Sequence, residues 1–155
     1  MKILIQWILA CVVLCSCHTA EAAGIKILKV LPHFIDKEGR HSLYPSLYER
    51  DAYQVHLRKN PELRSGLRFD VQWKAKAVDP SRLKLRLEVR GSKTATLKPL
   101  VIDQPVKRRG WFSQWSAIIL DAATYEQLSE IVAWRVSLWE GDRELADQKS
   151  FLWEP

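Results

Sequence analysis

A mainly β fold, an antiparallel sandwich of about seven short strands with one short helix, is what this chain of 155 residues predicts. Three observations carry the prediction. Phe69, Val71, Trp73 and Ala75 alternate with Arg68, Asp70, Gln72, Lys74 and Lys76, and Leu83, Leu85, Leu87 and Val89 alternate with Lys84, Arg86, Glu88 and Arg90. Each run is a strand with one buried and one solvated face. Turn signals recur between such runs, and all three cysteines, Cys11, Cys15 and Cys17, precede residue 22, so the body of the chain has no thiol chemistry and its core alone must hold it together.

The first 22 residues read as an export signal. Lys2 is followed by an apolar run from Ile3 to Leu14, which at about a dozen residues is too short to span a bilayer of roughly 30 Å. Two processing sites compete. Ala20-Glu21-Ala22 before Ala23 fits the small-x-small pattern of signal peptidase. Leu14-Cys15-Ser16-Cys17 resembles the lipobox of bacterial lipoproteins, with Cys15 atypical. That resemblance implies lipid on Cys17, the sole lipidation candidate, and His18 after it implies an outer-membrane destination. The chain is therefore expected to be exported, either anchored in the outer membrane or free in the periplasm or medium, with one domain over residues 25–155.

Within that domain, Ile25 to Val30 predicts a first strand ended by Pro32, and the polar segment from Asp36 to His41 a loop. A helix is predicted from about Leu47 to Lys59, with Ser46 and Glu49 at capping-box spacing and Asn60-Pro61 as its stop. Its apolar stripe would be Tyr48, Ala52 and Val55, although Tyr53, Val55 and Leu57 also alternate, which leaves a strand over residues 52–58 open. The strands of the opening observation follow, over Arg68 to Ala77 and from Leu83, separated by the turn Asp79-Pro80-Ser81. Thr94 to Val101 and Trp111 to Leu120 are the next strands, separated by a basic loop over residues 105–110. Asp121 then caps a helical turn running to about Leu128.

Val132, Trp134, Val136 and Leu138 point inward along the penultimate strand, and Gly141-Asp142 suits a two-residue type II′ hairpin loop with Glu140 facing Arg143. A regular register would then place Asp147 opposite Val136 and Lys149 opposite Trp134, charges on the apolar face. The last strand, Leu145 to Trp153, is therefore expected at a sheet edge or with a bulge. At the level of strand spacing alone, the pattern resembles the immunoglobulin-like and fibronectin-type-III-like domains of secreted bacterial proteins.

Chemistry-bearing motifs are few. His33, Asp36, Glu38 and His41 lie close in sequence but match no zinc spacing, and His56 reads as a surface residue. No nucleophile elbow, phosphate-binding glycine loop or His-Glu-x-x-His helix occurs, so no enzyme, cofactor or metal is expected. Removing the signal takes away one cation and one anion, Lys2 and Glu21, so the formal net charge of +6 remains. Outside the cytosol that charge suits anionic lipids, acidic polysaccharides and acidic proteins, and not nucleic acid.

Six of the seven tryptophans lie in the domain. Trp73 and Trp134 take the inward phase and Trp139 the outward one, beside Arg135. Trp111 and Phe112 abut the basic loop. Lys107, Arg108, Arg109, Trp111, Phe112, Arg135 and Trp139 are accordingly the candidate binding residues, flat aromatics beside directed cations. The expectation is a non-catalytic cell-envelope module that binds a protein partner or an anionic envelope polymer and meets the membrane only through a lipid on Cys17. The alternative is a soluble periplasmic or secreted enzyme or small-ligand carrier with a dispersed polar site.

Overall fold

The computed structural model describes residues 24–76, 78–93, 98–107 and 112–153. β1 (Lys26–Asp36), β2 (Arg64–Lys74) and β5 (Gln114–Leu120) form one antiparallel sheet in the order β1-β2-β5. β3 (Leu83–Gly91), β4 (Leu100–Pro105), β6 (Ile131–Glu140) and β7 (Arg143–Lys149) form the other, in the order β4-β3-β6-β7. The β2–β3, β4–β5 and β5–β6 connections each cross from one sheet to the other, which makes the sandwich predicted from the alternating runs. Two helices join it, α1 (Leu47–Lys59) between β1 and β2 and α2 (Ala122–Leu128) between β5 and β6.

The core follows the period of two. Phe69, Val71 and Trp73 of β2, the four alternate apolar residues of β3, Ile118 and Leu120 of β5, and Val136 and Leu138 of β6 are all buried between the sheets. Trp134 meets Phe69 edge to face at 6.1 Å. Buried Trp73 keeps its one polar atom satisfied by donating from Nε1 to Ser116 Oγ at 3.0 Å. Gly91 is required by contact, since a Cβ there would stand 2.1 Å from the Leu128 carbonyl oxygen.

The hairpin conflict is resolved by a bulge at an edge. Glu140 pairs with Arg143, and the register slips after Trp139, which faces Glu144 while Leu138 faces Ala146. Leu145 is the extra residue, and the slip returns Asp147 to Ser137 and Lys149 to Arg135, on the outer face. Gly141 has φ +60° and Asp142 does not share a positive φ, as a type II′ turn requires.

Other boundaries move for physical reasons. Pro32 does not end β1, because β1 is an edge strand and proline has no N–H to leave unpaired there. The strand expected over 94–101 runs instead from Leu100 to Pro105, with 94–97 outside the described residues. Its polar Asp103 belongs to the sheet because Lys84 and Arg86 of β3 bind its carboxylate at 2.9 and 2.7 Å. The strand expected from Trp111 begins at Gln114, and the one expected over 68–77 occupies 64–74.

α1 has the predicted ends but not the predicted cap or face. Ser46 makes no side-chain capping bond, so the box does not form. The stripe of Tyr48 and Val55 faces solvent, and the docked side is Arg50, Tyr53, Gln54 and fully buried Leu57. Hydrogen bonds rather than an apolar stripe orient the helix. Gln54 accepts from the Phe34 N–H at 2.7 Å and donates to the Phe34 carbonyl at 2.9 Å, occupying the open edge of β1 as a strand would. Arg64, almost fully buried, donates from Nε to the Leu57 carbonyl at 2.6 Å and also to the Arg58 carbonyl, capping the helix C-terminus. At α2 the predicted cap does form, with Asp121 accepting from the Thr124 N–H at 2.9 Å.

Candidate functional site

Register brings a set of lysines to one end of the sandwich. β1 starts with Lys26 opposite Lys74, the last residue of β2, and Lys29 faces Gln72 one row further in. Gln72 is in turn paired with Trp115 of β5. On the other sheet, Pro105 ends β4 opposite Lys84, which pairs with Trp139. Val106 donates its N–H to the Leu83 carbonyl at 3.0 Å and buries its side chain, closing the core and turning Lys107 outward.

Between the edges of β4 and β5 at this end lies an open cleft of about 560 Å³. Gln104, Lys107, Trp115 and Ser116 are among its lining residues, and Gln104 spans the two edges by donating to the Ala117 carbonyl at 3.0 Å. Beside it Phe112 is 86% exposed and Trp115 52% exposed. Lys74, Lys76 and Lys107 form no salt bridge among the described residues. Of the candidate binding residues, Lys107 and Phe112 thus sit together here, while Arg108, Arg109 and Trp111 lie outside the described residues.

Arg135 and Trp139 are on the outer face of the four-stranded sheet, already engaged. Arg135 donates to Asp147 at 2.9 Å, Glu144 at 2.5 Å and Glu88 at 3.2 Å. Burial raises the Glu144 carboxyl against the pull of Arg135. Trp139 donates to Ser137 Oγ at 2.8 Å, and the Arg86 guanidinium lies 4.9 Å over its ring with the Lys84 ammonium at 5.8 Å. Those two cations share Asp103, whose carboxyl is held far below its ordinary range by the Arg86 hydrogen bonds. Across this face charge is matched locally.

The histidine loop at the opposite end is built around Asp36. Its carboxylate accepts from Tyr53 Oη at 2.5 Å, Arg40 Nε at 2.8 Å, and the Arg40 and Glu38 N–H groups at 2.8 and 2.9 Å. Burial alone would raise this carboxyl, but those bonds and the Arg40 charge hold it at about 2. Asp36 therefore joins the loop to α1. The rings of His33 and His41 lie 5.6 Å apart, and burial lowers both pKa values, with Arg50 adding to the effect on His33 and Arg68 to that on His41. Among the described residues no three His, Cys, Asp or Glu side chains are placed to hold a metal ion.

Sequence reasoning missed Trp115, Lys74 and Lys76 as members of the lysine end. A signal was present: with Ile118 and Leu120 inward, the alternation places Trp115 and Ile119 outward. Among the described residues no helix is long and apolar enough to cross a membrane. Compared with known proteins, the chain matches no family model, no curated relative and no solved structure.

Proposed function

We propose that this protein is an exported, non-catalytic module of a bacterial cell envelope that holds an anionic envelope partner at the lysine end of its sandwich. The observation that carries this reading is the gathering of Lys26, Lys29 and Lys74 by strand register, with Lys76 just past β2 and Lys107 just past β4, at the end that exposes Phe112 and Trp115. A flat aromatic supplies contact area at low entropic cost, and lysines near an anionic surface contribute about 1 kcal/mol each. The test is co-sedimentation of the mature protein with envelope fragments at low salt. Lys74→Glu, Lys76→Glu and Lys107→Glu together should weaken capture at least tenfold with an unchanged Tm; unchanged capture would sink the proposal.

One feature favours the alternative of a small-ligand carrier or enzyme. At the opposite end an open polar cleft of about 630 Å³ is lined by residues including Lys37, Arg64, Lys93, Tyr125, Ser129 and Glu130. Ser129 there holds φ 61° and ψ −124°, a strained geometry of the kind found at functional sites. Native mass spectrometry of the exported protein discriminates: a retained small molecule lost in Ser129→Gly or Lys93→Glu would favour this second reading over the first.

A further inference from the structure

We propose that the partner at the lysine end is the surface of a bilayer containing anionic phospholipid, on which the sandwich stands with Phe112 and Trp115 in the headgroup layer. This rests on the reading of that end as a binding surface and names its occupant. Gly24 lies against the Lys76 side chain, so close that a Cβ would stand 3.0 Å from Lys76 Cδ, and β1 starts two residues later at this same end. The apolar run of residues 3–14 and Cys17 both precede Gly24. The nine residues from 15 to 23 reach at most about 30 Å, and the seven from His18 to Gly24 about 25 Å. A lipid on Cys17 or a retained apolar run would hold this end, and no other, against the membrane.

Lys26, Lys29, Lys76 and Lys107 are exposed and Lys74 half-buried, on the side formed by β1, β2 and the β4–β5 cleft. Among the described residues, Asp79, Glu140 and Asp142 stand near the β6–β7 turn. Asp79 is turned in to accept from the Ser81 N–H at 2.9 Å, and Glu140 accepts from the Asp79 N–H and from Arg143, both at 2.7 Å. Asp142 occupies the turn itself. A planar anionic surface can meet Lys74, Lys76 and Lys107, which form no salt bridge among the described residues, and its attraction falls off within a Debye length of about 10 Å at 0.1 M salt.

Phe112 and Trp115 stand within this lysine group, and indole and phenyl rings settle at the boundary of headgroups and acyl chains. An acidic polysaccharide can stack a sugar ring on Trp115, whereas a bilayer rewards the lysines and also the insertion of both apolar rings.

The test uses the exported protein carrying Cys17→Ser, with an intact mass showing that it begins at Ala23 and has lost both the lipid site and the apolar run, so that any vesicle binding comes from the folded face. It should sediment with vesicles of phosphatidylcholine and phosphatidylglycerol but not with phosphatidylcholine alone. Lys74→Glu, Lys76→Glu and Lys107→Glu together should weaken binding at least tenfold. Phe112→Ser with Trp115→Ser should weaken it several-fold while leaving the salt dependence intact. Brominated lipid should quench the native protein's fluorescence, and Trp115→Phe should reduce that quenching. Capture by envelope fragments without binding to the anionic vesicles would overturn the lipid assignment and leave the binding surface standing. Failure of both would overturn the two together, and equal binding to neutral vesicles would overturn the role of the lysines.

Discussion

Replacing Asp36 by Asn tests whether one buried carboxylate holds the α1 region to the sandwich. Asn keeps the shape and still accepts from the Glu38 and Arg40 N–H groups, but removes the charge that binds Arg40 Nε and Tyr53 Oη. The carboxyl titrates at about 2 instead of 3.8, which at 1.36 kcal/mol per pKa unit corresponds to a ceiling of about 2.4 kcal/mol. Asp36 is 3% exposed, but its partner Arg40 is half exposed, and screening through that side reduces the expected loss to about 1.5 kcal/mol. A carboxyl with a depressed folded pKa stabilises above its unfolded value, about 3.9, and the contribution disappears as pH falls through about 2. Urea unfolding followed by tryptophan fluorescence should therefore show Asp36→Asn less stable than the native protein at pH 7 and converging with it near pH 2. A loss below about 0.5 kcal/mol at pH 7, or one that persists undiminished at pH 2, would refute the reasoning.

Three other perturbations probe separate parts of the fold. Arg135→Met removes the cation shared by Glu88, Glu144 and Asp147 and should cost about 2 kcal/mol at pH 7. The loss should shrink at acid pH as Glu144, whose carboxyl burial raises, takes up a proton, and a pH-independent loss in urea titrations would assign the effect to packing of the arginine stem. Ser129→Gly relieves a positive φ and should raise stability by about 1 kcal/mol, whereas a lower Tm would mean that the serine side chain is itself needed. Tyr48→Ser with Val55→Ser should leave the unfolding free energy within about 0.5 kcal/mol, because both side chains face solvent, while Leu57→Ala on the docked face should cost about 2–4 kcal/mol. Thermal unfolding that ranks the double variant as the less stable would invert the orientation assigned to α1.

Much of the sandwich is legible in the chain because burial between two sheets imposes a period of two that local sequence cannot hide. The inward phases of β2 and β3, that of β6 from Trp134 onward, the Asp121 cap and the Gly141 turn follow from residue types within a few positions of one another, whereas Val132, expected inward, is exposed and Ala133 buried because the β3–β6 register shifts at Gly91. The charge conflict of the last hairpin even announces its bulge, since Asp147 and Lys149 have no tolerable place on the apolar face. α1 escaped the same logic. Its ends are written in Asn60-Pro61 and the polar loop before it, but its docked face is chosen by Gln54, Tyr53 and Arg64 finding partners on β1, α2 and the connection from α2 to β6. Polar side chains carry no periodic signal that reveals a distant partner.

The chain by itself determined a cysteine-free, basic domain built of alternating strands, because composition and local alternation need no knowledge of neighbours. The tertiary structure decided which cations stand together. Arg135 and Trp139 looked like an exposed recognition pair in sequence, yet β3 and β7 bring three carboxylates and two cations to them. Lys26, Lys74, Lys76 and Lys107 are scattered over some eighty positions, yet β1–β2 pairing and the closing of the core by Val106 bring them to the end where the described chain begins. Strand register is a long-range property, set by burial between two sheets, and it is register that turns separate residues into a surface.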